Sequence, residues 1–234
     1  MTPEATPRPD SGSELSPTTP AGHGSPARGR AVSIWSMVLL EVGVLAVAGG
    51  LAWLLAVDPL SGMAWSVGSW SWGLVGSLPL VGGLWFLDHT SIDAIVQLRR
   101  TVEDLFGHYF RGVRPIGVIV LAVVAGVAEE MLFRGVLQPW AADRLGWLAA
   151  VVLVGALFGL VHSVTPLYAM LAAGAGVYLG ILMTLTGNVA VPIIAHAVYD
   201  MVALGYFLRE SAGQEPGDDE GLDGSPAVAP AEDQ

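Results

Sequence analysis

Six apolar runs of roughly bilayer length follow one another along the chain, near 32–57, 66–86, 115–142, 147–165, 167–186 and 189–208. A transmembrane helix needs about 20 mostly apolar residues, so each run predicts a spanning helix. The stretch 90–112 is patterned differently. It mixes Arg99, Arg100, Glu103, Asp104, Arg111 and Arg114 just beyond it with Ile95, Val96, Leu98, Val102, Leu105, Phe106 and Phe110, the pattern of an amphipathic helix lying in the membrane interface. Trp53, Trp65, Trp70, Trp72, Trp85, Trp140 and Trp147 fall mostly near run ends, as interfacial aromatics do. Residues 1–30 are rich in Pro, Ser, Thr and Gly and nearly free of large apolar side chains, so disorder is expected there. No short apolar run with a cleavage site opens the chain, and no signal peptide is expected. The organisation predicted is a disordered tail over 1–30, transmembrane and interfacial helices over 31–111, a second helical segment over 112–208, and a disordered acidic tail over 209–234.

Composition agrees with this pattern. Apolar residues make up 53% of the 234, charged residues only 13%, and the mean hydropathy is +0.60. A soluble domain carries about twice that share of charge. The fold class expected is all-α, a polytopic integral membrane helix bundle of about six transmembrane helices plus the interfacial one. Neither a cytosolic enzyme nor a nucleic-acid binder fits. The chain has no cysteine, which excludes disulfides, thiolate metal sites and a catalytic thiol. It also has no lysine, all ten cations being Arg. The net charge of −11 sits largely at one end, since eight acidic residues from Glu210 to Asp233 follow the last cation, Arg209. With six spans, Arg28, Arg30, Arg99, Arg100, Arg111, Arg114 and Arg209 lie on one side and Arg144 on the other, so both termini are expected in the cytoplasm. Small residues four apart, such as Ala122 and Gly126, Gly155 and Gly159, and Ala172, Gly176 and Gly180, suit close helix packing in lipid.

Ionisable side chains inside spans are costly and require a reason. Glu129, Glu130, Arg134, His162, His196 and Asp200 cluster in the second half of the hydrophobic region. Glu41, in the first span, stands apart and is read as locally paired or protonated, without a catalytic role. Glu130 and Arg134 are four apart, as are His196 and Asp200, so each pair shares a helix face. Glu130 and His162 are equidistant from Gly146, so a hairpin turning there would bring them to one depth, about 24 Å from the turn at 1.5 Å per residue. His196 matches that depth less well. Carboxylates and imidazoles in a wet intramembrane pocket suit peptide hydrolysis in either of two ways. A carboxylate can deprotonate a water that an imidazole orients, with the remaining groups stabilising an oxyanion. Alternatively the imidazoles and a carboxylate can hold zinc with an open position while another carboxylate acts as base. Taken singly, each group is more often a packing or orienting device than a catalytic one.

These residues resemble the motifs of a known family. Glu129-Glu130-Met131-Leu132-Phe133-Arg134 is similar to the EExxxR signature of the CAAX-protease and bacteriocin-processing (CPBP, or Abi) intramembrane proteases. Phe158-Gly159-Leu160-Val161-His162 resembles its FxxxH motif, and His196-Ala197-Val198-Tyr199-Asp200 its HxxxN/D motif. The likeness covers roughly residues 112–205, which makes 112–208 the protease core. It implies an endopeptidase in which Glu129 activates water held by His162, Glu130 and Arg134 orient the site, and His196 with Asp200 forms the oxyanion pocket. It leaves the cofactor open. If a metal such as zinc is used, Glu130, His162, His196 and Asp200 are its expected ligands. Asp200 stands where many members have Asn; it must be protonated, orient His196, or bind metal. The partners implied are the lipid bilayer and a membrane peptide or protein substrate, lipidated or not, with no nucleic acid, in a bacterial cell membrane. The alternatives are a catalytically silent scaffold of the same fold and a proton-coupled transporter, though the matching broken-helix halves of a transporter are not visible.

Overall fold

The computed structural model describes residues 33–110 and 113–213, the side chains of 106–110, 207 and 210–213 excepted. All regular structure among them is helical: α1 (Ile34–Leu55), α2 (Val67–His89), α3 (Asp93–Phe110), α4 (Pro115–Leu145), α5 (Trp147–Val161), α6 (Pro166–Thr186) and α7 (Ala190–Gly213). The six apolar runs correspond to α1, α2 and α4–α7, and the amphipathic stretch to α3. Four helices, α1, α2, α4 and α6, are long and apolar enough to cross a membrane, whereas α5 and the apolar part of α7 (Ala190–Tyr206) are shorter. The chain is an integral membrane protein. The expected disordered tail over 1–30 lies outside the described residues, as does the acidic end beyond Gly213; α7 itself continues to Gly213.

Helix ends follow local chemistry. Ser33, Ser66 and Thr165 cap α1, α2 and α6 by accepting from the N–H groups of Trp35, Ser69 and Tyr168, each meeting one of the donors a helix start leaves unpaired. Pro115 and Pro166 open α4 and α6 at positions where a missing N–H costs nothing. Pro166 also drives Thr165 into extended backbone, and within the run 147–165 the helix ends at Val161. Gly146, at φ +82, turns the chain between α4 and α5, where the hairpin was expected.

Helices α4 and α7 form the centre. Helix α1 packs along α4, α2 and α3 pack on α7, α5 lies on the end of α4, and α6 packs on α5 and α7. Ile34 clusters with Val118, Leu121 and Leu204, and Ala48 with Met131, Val189 and Ile193, so α1 runs parallel to α4 and antiparallel to α7. Small residues set the closest approaches: Gly155 against Val177, Gly159 against Ala169 and Ala173, Gly126 against Ala197, and Gly73 against Ile194. The outside is apolar, with Leu39, Trp53, Leu78, Met170 and Leu185 exposed, as lipid-facing residues should be.

Polar ties close the ends. Asn188 donates to the Ala64 carbonyl and Ser69 Oγ and accepts from the Ala64 N–H, joining the α1–α2 loop to the α6–α7 turn. Asp88 Oδ1 accepts from Arg99 of α3 and Tyr206 of α7. These ties hold the helix ends, but the glycine contacts hold the helix faces. A Cβ at Gly155 would stand 2.7 Å from the Val177 nitrogen, so Gly155→Ala should lower stability by about 1–3 kcal/mol. Gly43→Ala, which meets nothing within 4 Å, should not. Unfolding midpoints of the two variants in detergent or lipid check this.

Candidate active site

The site is built around an irregular stretch of α4. Residues Met131–Leu137 are wound as a π-helix, closed by the Gln138 N–H donating to the Phe133 carbonyl. Pro139 supplies a reason. Inside an α-helix its ring clashes with the carbonyl four residues earlier, that of Gly135, and a π turn widens the backbone there. Gly135 in turn abuts Pro59 of the α1–α2 loop at 3.3 Å from where a Cβ would sit. Pro139 was the one sign of this feature in the apolar run 115–142.

The neighbouring glutamates, about 100° apart around α4, have different surroundings. The Glu130 side chain is fully buried, and its Oε1 accepts from Arg134 Nη1 and from His196 Nδ1, each at 2.9 Å. Arg134, also fully buried, donates through Nη2 to the Gly176 carbonyl of α6 at 2.6 Å. Its guanidinium lies 4.9 Å from the Phe158 ring centre and 5.7 Å from that of Phe133, within cation–π range. Thus α4, α5, α6 and α7 meet at one ion pair. One turn further, Gln138 donates to the Gly180 carbonyl and to Thr184 Oγ1.

Glu129 keeps 13% of its side-chain surface exposed, and its Oε2 lies 3.5 Å from His162 Nε2. His162 Nδ1 is 2.8 Å from the Phe158 carbonyl. A carbonyl only accepts, so Nδ1 carries the proton and a neutral ring presents the Nε2 lone pair to Glu129. Two acceptors facing each other require a proton between them or a donor such as water bridging them. The same logic applies across the site. His196 donates from Nδ1 to Glu130, and its Nε2 faces Asp200 Oδ2 at 3.5 Å, so one proton belongs to that pair.

The structure therefore brings together all six residues singled out in the sequence. Of the two glutamates it is Glu129, the one the motif resemblance pairs with His162, and not Glu130, the one equidistant with it from Gly146, that meets His162. The depth mismatch foreseen for His196 does not keep it from the site: the Phe158 ring stacks on His162 at 4.4 Å and meets His196 edge-on at 5.9 Å. Sequence reasoning did not foresee the bridging role of Phe158, whose i,i+4 spacing to His162 was the available sign, nor Gln138, a polar residue in an apolar run. Glu41, read as standing apart, is within electrostatic range of Glu129, Asp200, His162 and His196. The four expected metal ligands do not fit a metal in this arrangement. Glu130 is committed to Arg134 and His196, His162 faces Glu129, and no group of three or more His, Asp or Glu among the described residues is placed to hold an ion.

Residues 112–202 match the family model described as type II CAAX prenyl endopeptidase Rce1-like, and this segment belongs to the CAAX-protease (CPBP) family that its motifs resemble. A Bacillus subtilis (strain 168) protein, described as uncharacterized protein YpbD, is 38% identical over 85 residues, covering 36% of this chain and 42% of the relative. No solved structure matches the chain significantly.

Removing one member of a buried pair strands the other charge, at about 3–5 kcal/mol. Arg134→Gln should therefore lower stability by that order. The double replacement Glu130→Gln with Arg134→Gln should recover part of the loss, because neither member of the pair is left as an unpaired buried charge. Thermal unfolding of the three proteins in the same lipid tests it.

Proposed function

We propose that the protein is an intramembrane endopeptidase that hydrolyses a peptide bond with water activated by Glu129. The observation that carries this is the placement of Glu129 Oε2 3.5 Å from His162 Nε2, with the other ring nitrogen of His162 tied to the Phe158 carbonyl. That tie keeps the Nε2 lone pair turned to where a water would sit, so both acceptors hold the same molecule. Glu129 takes the water's proton as its oxygen adds to the scissile carbonyl carbon. The oxyanion formed is stabilised by the proton shared between His196 and Asp200. Collapse of this intermediate breaks the carbon–nitrogen bond, and Glu129 returns the proton to the departing amine, leaving a carboxylic acid and an amine.

Glu130 and Arg134 hold the site without touching the reacting atoms. Their pair anchors His196 from one side and leaves its second nitrogen to Asp200. The family of the 112–202 segment supports a membrane-embedded peptide or protein as substrate, lipidated or not. We place α5 and α7 across the bilayer with the four longer helices, and both termini in the cytoplasm of a bacterial cell.

Loss of a general base costs about 10²–10⁴-fold in rate. Glu129→Gln, nearly the same shape, should lose cleavage to that extent while unfolding at an unchanged temperature. The check is mass spectrometry of a peptide and lipopeptide library incubated with each protein in lipid. Equal product profiles from both would remove Glu129 as the base.

A further inference from the structure

Ile34, Glu41 and Ala48 recur every seven residues along α1, within about 20° of one line on the helix surface per step. Ile34 and Ala48 are buried against α4 and α7, so Glu41, midway between them, faces the same interior. Ile34 is level with Leu204 of α7 and Ala48 with Ile193; midway between those two residues lie Val198 and Tyr199, beside Asp200. Helix register alone therefore brings Glu41 to the depth of the site. Its carboxyl is within electrostatic range of Glu129, Asp200, His162 and His196, and Oε2 is buried with no hydrogen-bond partner.

The charges nearby do not balance. Glu129 faces His162, Asp200 faces His196, and Glu130 holds Arg134 and His196. Even with both imidazoles protonated, these cations number one fewer than the carboxyls once Glu41 is included. No ion pair within 4 Å is formed by Glu41 among the described residues. A carboxyl in a bilayer interior is costly without a partner, and on the hydrolase reading a peptide substrate enters this site and can supply one.

We propose that Glu41 is a substrate-binding residue of this site, receiving a cationic nitrogen of the bound peptide, either an Arg or Lys side chain or a free α-amine near the scissile bond. The assignment rests on the hydrolase reading for its cleavage test, and on binding alone for a second test. It gives α1, which carries none of the six motif residues, a role in selecting what is cut.

The experiment uses the full chain in lipid vesicles and peptides sharing one cleaved sequence, in which a basic residue is kept, replaced by Gln, or removed while the N-terminus is acetylated. A charge-assisted bond of this kind is worth about tenfold or more. The wild type should therefore cleave the cationic peptide about tenfold better by kcat/KM than its neutral counterpart. Glu41→Gln should flatten that ratio, and Glu41→Asp should keep most of it. In the Glu129→Gln background, where peptides bind without being cut, the same preference should appear in Kd and vanish on adding Glu41→Gln. The Gln and acetyl arms separate a side-chain cation from an α-amine. Equal handling of cationic and neutral peptides by the wild type, or a preference that survives Glu41→Gln, overturns the assignment. Absence of cleavage by the wild type overturns the hydrolase reading, and the binding comparison still decides the role of Glu41.

Discussion

A guanidinium taken wholly out of solvent must be neutralised and hydrogen-bonded where it lies, and Arg134 has its partners on three helices. Glu130, four residues back on α4, balances its charge, the Gly176 carbonyl of α6 accepts its second hydrogen bond, and Phe158 of α5 covers its face. Because Glu130 also binds His196, α7 is drawn into the same arrangement. The approach of α6 that makes the Gly176 bond possible depends on Gly155 and Gly176 packing against each other. A larger side chain at that contact would move the acceptor away from a buried cation that cannot shed its charge.

In the reaction proposed above, two neighbouring glutamates on one helix divide the work. Glu130 is sealed in and spends one oxygen on two donors, which makes it a structural anchor. Glu129 retains some exposure and faces an imidazole whose tautomer is set by a backbone carbonyl. Chemistry needs a group that is accessible and incompletely bonded, while its support needs the opposite, and a step of about 100° around the helix supplies both from adjacent positions. The π turn that follows offsets the face carrying Arg134 and Gln138 from regular α-helical register, and both side chains reach carbonyls of α6.

Much of this was legible in the sequence because lipid imposes simple rules. Bilayer thickness sets helix length, so the apolar runs mark the helices, and the cost of intramembrane charge marks the six candidate site residues against an apolar background. Spacing of four gave the Glu130–Arg134 and His196–Asp200 pairs. Gly146 located the hairpin, because a turn there needs the positive φ that glycine tolerates. Pairings between helices were less legible. Choosing between Glu129 and Glu130 as the partner of His162 depends on rotation about α4, which a π turn shifts and hydropathy does not report.

By itself the sequence determined that this is an all-helical membrane protein, where its helices fall, and which polar residues are out of place in lipid. Those properties are local, set by composition and spacing over a few turns. The tertiary structure decided which of those residues touch: Glu129 with His162, Glu130 with both Arg134 and His196, Phe158 between the two imidazoles, and Glu41 directed into the same interior. Such contacts depend on the relative rotation and depth of helices far apart in the chain. Small residues and turns fix that geometry jointly, and no single stretch of sequence encodes it.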